Sequence, residues 1–179
     1  MTAPIPPATP EPDAKDWTWS TSRPCADCGF DPGAETPVAF PARIEDLASR
    51  VVVALDRPDA ADRPESTIWS PIEYAHHLAD VCEVMARRLD AMLETDGVAF
   101  ESWDGDAAAV EGEYWRASAH VTSILLRERA EGAANSFAAV EPDQWSRRGI
   151  RSDGVEFTAE SLGLYLLHEL QHHAHDVGA

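Results

Sequence analysis

Lysine is all but missing from this chain: Lys15 is the single one, and arginine supplies the rest of the 14 basic residues set against 32 Asp and Glu. The resulting formal charge of −18 repels phosphate backbones and anionic headgroups, which excludes nucleic acid and membrane surfaces as partners. Long apolar runs are missing too. No stretch reaches the roughly eighteen consecutive apolar residues of a transmembrane helix, and the N-terminus lacks the basic start and apolar run of a secretory signal. A soluble, cytoplasmic protein is expected. Cysteine is scarce, and three thiols in a chain without an export signal point to reduced cysteines rather than a disulfide framework.

What is present is 44% hydrophobic residues over 179 positions, enough for one domain with a sizeable core. Residues 1–15 combine proline with few large apolar side chains and are expected to be a flexible tail. Residues 16–39 read as an N-terminal loop segment in which Trp17 and Trp19 need apolar cover. Within it, Cys25-x2-Cys28-Gly29 looks like half of a zinc knuckle, but a structural zinc takes four ligands and no second CxxC or nearby histidine completes the set. The pair therefore reads as a loop tie or bystander, with a metal or redox site as the sharper alternative.

From residue 40 onward the pattern is helical. Ile44, Leu47, Ala48, Val51, Val52 and Leu55 recur at three- and four-residue spacing, predicting a helix over 41–55. Ser70-Pro71 with Glu73 forms a capping-box start for a long helix running to Asp96-Gly97. A short helix capped by Asp106 is expected over 107–114, and a long one over 115–139. Residues 145–157 read as an irregular hairpin turning at Asp153-Gly154, and Thr158 caps a last helix to about Val177. The expectation is an all-α four-helix bundle over 40–179, with the short hairpin before the last long helix.

That last helix carries four of the seven histidines. His168, His172 and His175 fall within about 60° of one another on a helix, and His-x3-His offers two nitrogens one turn apart to a single metal ion. Their row lies nearly opposite the helix's main apolar stripe, so a solvated outer face is the plain alternative. Leu164 and Tyr165 on the same side argue instead for a partly open cleft. A third ligand must come from elsewhere. On the second helix, His76 lies about 160° from the apolar stripe and points to solvent, whereas His77, at about 100°, reaches a seam between helices. The expected ligands are His77, His168 and His172, with His175 as rival or fourth contact. His173, about 140° from His168, turns elsewhere, and His120 alone on its helix reads as packed or solvated. Glu73 or Asp80 is placed to orient His77, and Asp176 or Glu169 to act near the other two. Arg147, Arg148 and Arg151 read as a solvated cluster, or as a site for an anionic group.

Trp69-Ser70-Pro71-x-Glu73-Tyr74, His77-Leu78 followed by Asp80-Val81, Arg151-Ser152-Asp153-Gly154 with Phe157-Thr158, and His168-x3-His172-His173-x2-Asp176-Val177 together resemble the DinB/YfiT-like family over about residues 40–177. The resemblance implies a four-helix bundle holding zinc or nickel on three histidines, carried over to His77, His168 and His172. It further implies the activities assigned within that family, metal-dependent transferases and isomerases using low-molecular-weight thiols such as mycothiol or bacillithiol. Three neutral imidazoles leave a divalent ion an open position, as in catalytic sites. The expectation is thus an S-transferase joining a small thiol to an electrophile, or a hydrolase using water. The competing reading is a non-catalytic module in which the ion staples the second helix to the last. Expected partners are a small-molecule substrate and at most a second copy of the chain, as a homodimer.

Overall fold

A computed structural model of the chain describes residues 7, 8 and 16–179. The tail expected over 1–15 lies, apart from Pro7 and Ala8, outside the described residues. Among the described residues five α-helices follow in order, α1 Phe40–Ala54, α2 Pro71–Glu94, α3 Gly105–Glu111, α4 Ala119–Ala138 and α5 Ala159–Asp176, with strands β1 Val98–Phe100, β2 Arg148–Arg151 and β3 Glu156–Thr158. The four long helices form the expected bundle. Helices α1 and α2 each pack against both α4 and α5. Ile44, Leu47, Leu78, Leu89, Met92, Leu126, Leu162 and Leu166 are fully buried between them. Among the described residues no helix is long and apolar enough to cross a membrane.

Local sequence accounts for the two helices that matter most. In α2 the Ser70 side chain accepts from the Glu73 backbone N–H while Glu73 accepts from that of Ser70, with Pro71 in the first turn. In α5, Thr158 and Ser161 form the equivalent reciprocal cap, so both helices start where the chain supplies partners for their free N–H groups.

Elsewhere tertiary contacts shift the boundaries. Helix α3 is capped by Asp104 rather than Asp106. The third long helix begins at Ala119, not 115. Glu113 takes the left-handed conformation at φ 48° and Tyr114–Arg116 forms a 3-10 turn, because Tyr114, 1% exposed, is drawn inward to donate its hydroxyl to Asp80. The hairpin is present as antiparallel β2 and β3. A third strand, β1, joins it, pairing in parallel with β2 from Val98 opposite Gly149 to Phe100 opposite Arg151.

Segment 16–39 lies against the bundle. Its first 3-10 turn, Trp17–Thr21, packs on α5, which supplies the cover the two tryptophans require. A side chain at Gly163 would place its Cβ 2.4 Å from Phe40 Cε2, so the absence of one lets α1 and α5 approach.

Candidate metal centres

Helix α5 presents ligands in two rows. His168 and His172 are four residues apart, and so are Glu169 and His173, displaced by one residue and therefore by about 100° around the helix. The first row faces segment 16–39 and the second faces α2.

On the α2 side, His77, Glu169 and His173 each offer a donor atom, and all three atoms lie within 4.8 Å of one another. His77 Nε2 is 3.8 Å from Glu169 Oε2 and His173 Nε2 is 3.7 Å from the same oxygen. These separations exceed hydrogen-bond length and approach the roughly 3.4 Å that separates two ligand atoms bound tetrahedrally to one ion at about 2.0–2.1 Å. His173 donates from Nδ1 to Asp176 Oδ2 at 2.8 Å, which leaves the Nε2 lone pair directed at the cluster. Burial, opposed by Glu169, holds the His77 pKa below its ordinary value. Burial works against the charge of Glu169, yet His77 and His173 outweigh it and hold that carboxyl below the usual range. Burial that disfavours the charged form of His77, beside an ionised Glu169, leaves both side chains with a lone pair to offer a cation. Two histidines and a glutamate are also the donor set of catalytic zinc sites that keep a fourth position open, so these residues fit a divalent ion.

Aromatic rings surround this cluster. Trp69 lies 5.2 Å and Trp103 5.5 Å from the His77 ring, the latter stacked at 24°, and Tyr74 lies 4.9 Å from His173. Gly105 backs His77 so closely that a Cβ there would sit 2.8 Å from His77 Cε1.

On the opposite side, Cys25, Cys28, His168 and His172 bring two sulfurs and two ring nitrogens within 4.8 Å of one another. Cys25 Sγ is 3.8 Å from His172 Nδ1. Trp17 packs at 5.3 Å from His168 and 4.8 Å from His172, and Phe30 at 5.6 Å from His168. Burial pushes the Cys28 thiol up to about 11 and the His168 ring down to about 4.

The trio expected from sequence is therefore divided. His77 joins Glu169 and His173, while His168 and His172 join Cys25 and Cys28. His173, expected to turn elsewhere, turns toward α2, and the cysteine pair expected to lack histidines has two. His175 is exposed and only approaches Asp176, at 3.9 Å. Of the carboxylates expected behind the ligands, Asp176 contacts His173. Glu73 instead takes Arg63, whose Nε lies 2.8 Å from its Oε2, and Asp80 takes Tyr114 and Arg129. His76 is half-buried rather than solvated, stacked 4.2 Å from the Tyr114 ring. His120 is exposed. Arg147 donates to the Leu93 carbonyl at 2.7 Å, while Arg148 pairs with Asp96 at 3.4 Å and Arg151 with Asp153 at 2.8 Å. The arginines thus hold the hairpin and its neighbours together, each through a different partner. The legible signal for Glu169 and His173 was their four-residue spacing, hidden beside a richer histidine row.

The family model described as the DinB superfamily matches residues 42–177. No curated protein matches the chain. Among solved structures, YfiT from Bacillus subtilis, described as a probable metal-dependent hydrolase with an unusual four-helix bundle topology, is similar with a TM-score of 0.71 and 20% identity, over 83% of this chain and 91% of that one. That likeness is one of fold.

Proposed function

The chain belongs to the DinB superfamily, and we propose that it is a metal-dependent hydrolase of small molecules whose cleft is built on His77, Glu169 and His173. The observation that carries this reading is the convergence of two imidazole Nε2 atoms on one carboxylate oxygen, at 3.8 and 3.7 Å, between aromatic walls. A divalent ion such as zinc or nickel bound there would supply Lewis acidity, lowering the pKa of water or of a thiol and polarising a carbonyl. Glu169 reduces the charge presented to substrate below that of a three-histidine site. Asp176 holds the proton of His173 on Nδ1, and Trp103 with Gly105 fixes the plane of His77. Trp69, Tyr74 and Trp103 exclude water and offer an apolar surface to the substrate.

The same ligands serve thiol transfer if a low-molecular-weight thiol such as mycothiol or bacillithiol replaces water as nucleophile. They serve a non-catalytic staple between α2 and α5 if there is no turnover. Metal-loaded protein is assayed on small esters, amides and electrophiles, with and without thiol. Hydrolysis without thiol, lost in His77→Ala and His173→Ala, supports the proposal. Turnover that requires thiol replaces it with transfer. Absence of turnover, with a melting temperature that falls on chelation, replaces it with the staple.

A further inference from the structure

We infer that Cys25, Cys28, His168 and His172 form a second and closed metal centre, a tetrahedral zinc site that fastens segment 16–39 to α5. The donor set is two thiolates and two imidazoles, which zinc prefers in structural sites, and the order C-x2-C followed by H-x3-H matches the ligand spacing of such sites. The four donor atoms already lie within 4.8 Å of one another.

His168 is an independent pointer to a ligand. It is 1% exposed, and neither of its ring nitrogens has a hydrogen-bond partner among the described residues. A buried imidazole with both nitrogens unpaired is costly, and a cation among the four donors satisfies one of them. The cysteine loop is shaped for the task. Gly29, at φ 72°, turns the chain after Cys28, its N–H donating to the Cys25 carbonyl at 2.9 Å while the Cys25 N–H donates to that of Phe30 at 2.8 Å. Gln171 donates to the Cys28 carbonyl at 3.2 Å and ties the loop to α5. His172 presents Nδ1 to Cys25 at 3.8 Å, and Asp176 stands 3.9 Å from its Nε2, beyond hydrogen-bond length.

Binding releases two thiol protons, and the two thiolates neutralise the divalent charge. Four protein ligands under Trp17, Trp19 and Phe30 leave no position for substrate, so the site is structural. It also serves the cleft: by fixing the rotation of α5 against segment 16–39, it aims Glu169 and His173, each one residue further on, at His77.

The test uses the full chain loaded with zinc, measured by elemental analysis and zinc-edge X-ray absorption. Two ions per chain are expected, one for each donor group, with sulfur scatterers at about 2.3 Å. The Cys25→Ser, Cys28→Ser double variant is expected to hold one ion and lose the sulfur scattering. The His77→Ala, His173→Ala double variant is expected to hold one ion and keep it, so failure of the cleft reading is separable from failure of this one. A wild-type spectrum without sulfur ligands overturns the inference whether or not the cysteine variant folds. A Cys25–Cys28 disulfide in the native protein, or a cysteine variant that retains both ions, overturns it as well.

Discussion

His172 and His173 are neighbours in the chain, yet their rings stand at 83° to one another with centroids 5.6 Å apart, one meeting Cys25 and the other Glu169 and His77. A single peptide step on α5 thus divides the ligands of two candidate centres. Substitutions along this helix should have effects that depend on phase rather than on residue type.

The first expectation contrasts His173 with His175. Replacing His173 by alanine removes a donor from the cleft and should abolish hydrolysis while the thiolate-bound ion stays. His175, with its side chain 59% exposed, should tolerate alanine with activity and metal content unchanged. Elemental analysis and the ester assay on the two variants side by side decide the matter.

Asp176 acts through His173. In Asp176→Asn the acceptor for Nδ1–H is weakened, and affinity for the cleft ion should fall about 10- to 100-fold. Competition with a chromogenic chelator measures this. An unchanged affinity would mean that the 2.8 Å contact orients nothing.

Gly105→Ala probes the wall behind His77. Its Cβ would meet His77 Cε1 at 2.8 Å and Nδ1 at 3.1 Å, so the ring must tilt out of line with Glu169. Activity should drop by about 100-fold, the scale associated with displacements near 1 Å in a catalytic constellation. The melting temperature should fall modestly too, because the ring that must tilt is buried and overpacking costs about 1–3 kcal/mol.

The Arg63–Glu73 pair gives a prediction in pH. Burial raises the Glu73 pKa, but Arg63 and the Ser70 cap lower it more, so the folded value lies below the ordinary one. The stability this contributes is fully present above the unfolded value of about 4.3 and is lost as pH falls through the folded value. The difference in melting temperature between wild type and Glu73→Gln should therefore be constant above about pH 5 and shrink below about pH 4. Arg63→Ala leaves the carboxylate, 2% exposed, without its cation and should cost about 3–5 kcal/mol near neutral pH. Thermal melts across that range are the check.

Much of this was legible because it is local. The Ser70 and Thr158 caps, the periodicity of α1 and α2 and the position of His77 on a buried shoulder all depend on residues within one or two helical turns. The start of α4 was not legible, since it is set by Tyr114 reaching Asp80, 34 residues away. His76 was misplaced for the same reason: the ring that covers it belongs to the same distant turn.

Sequence alone determined that this chain makes a four-helix bundle and that α5 concentrates histidines and acids of the kinds that ligate metals, because periodicity, capping and residue spacing are short-range properties. Only the tertiary structure decided how those side chains are shared. Cys25 meets His172 across 147 residues, and His77 meets the other row across the bundle. Which row meets which partner depends on the rotation of α5 between α2 and segment 16–39. That rotation is fixed by packing on both sides of the helix at once, and one residue's worth of it, about 100°, separates one centre from the other.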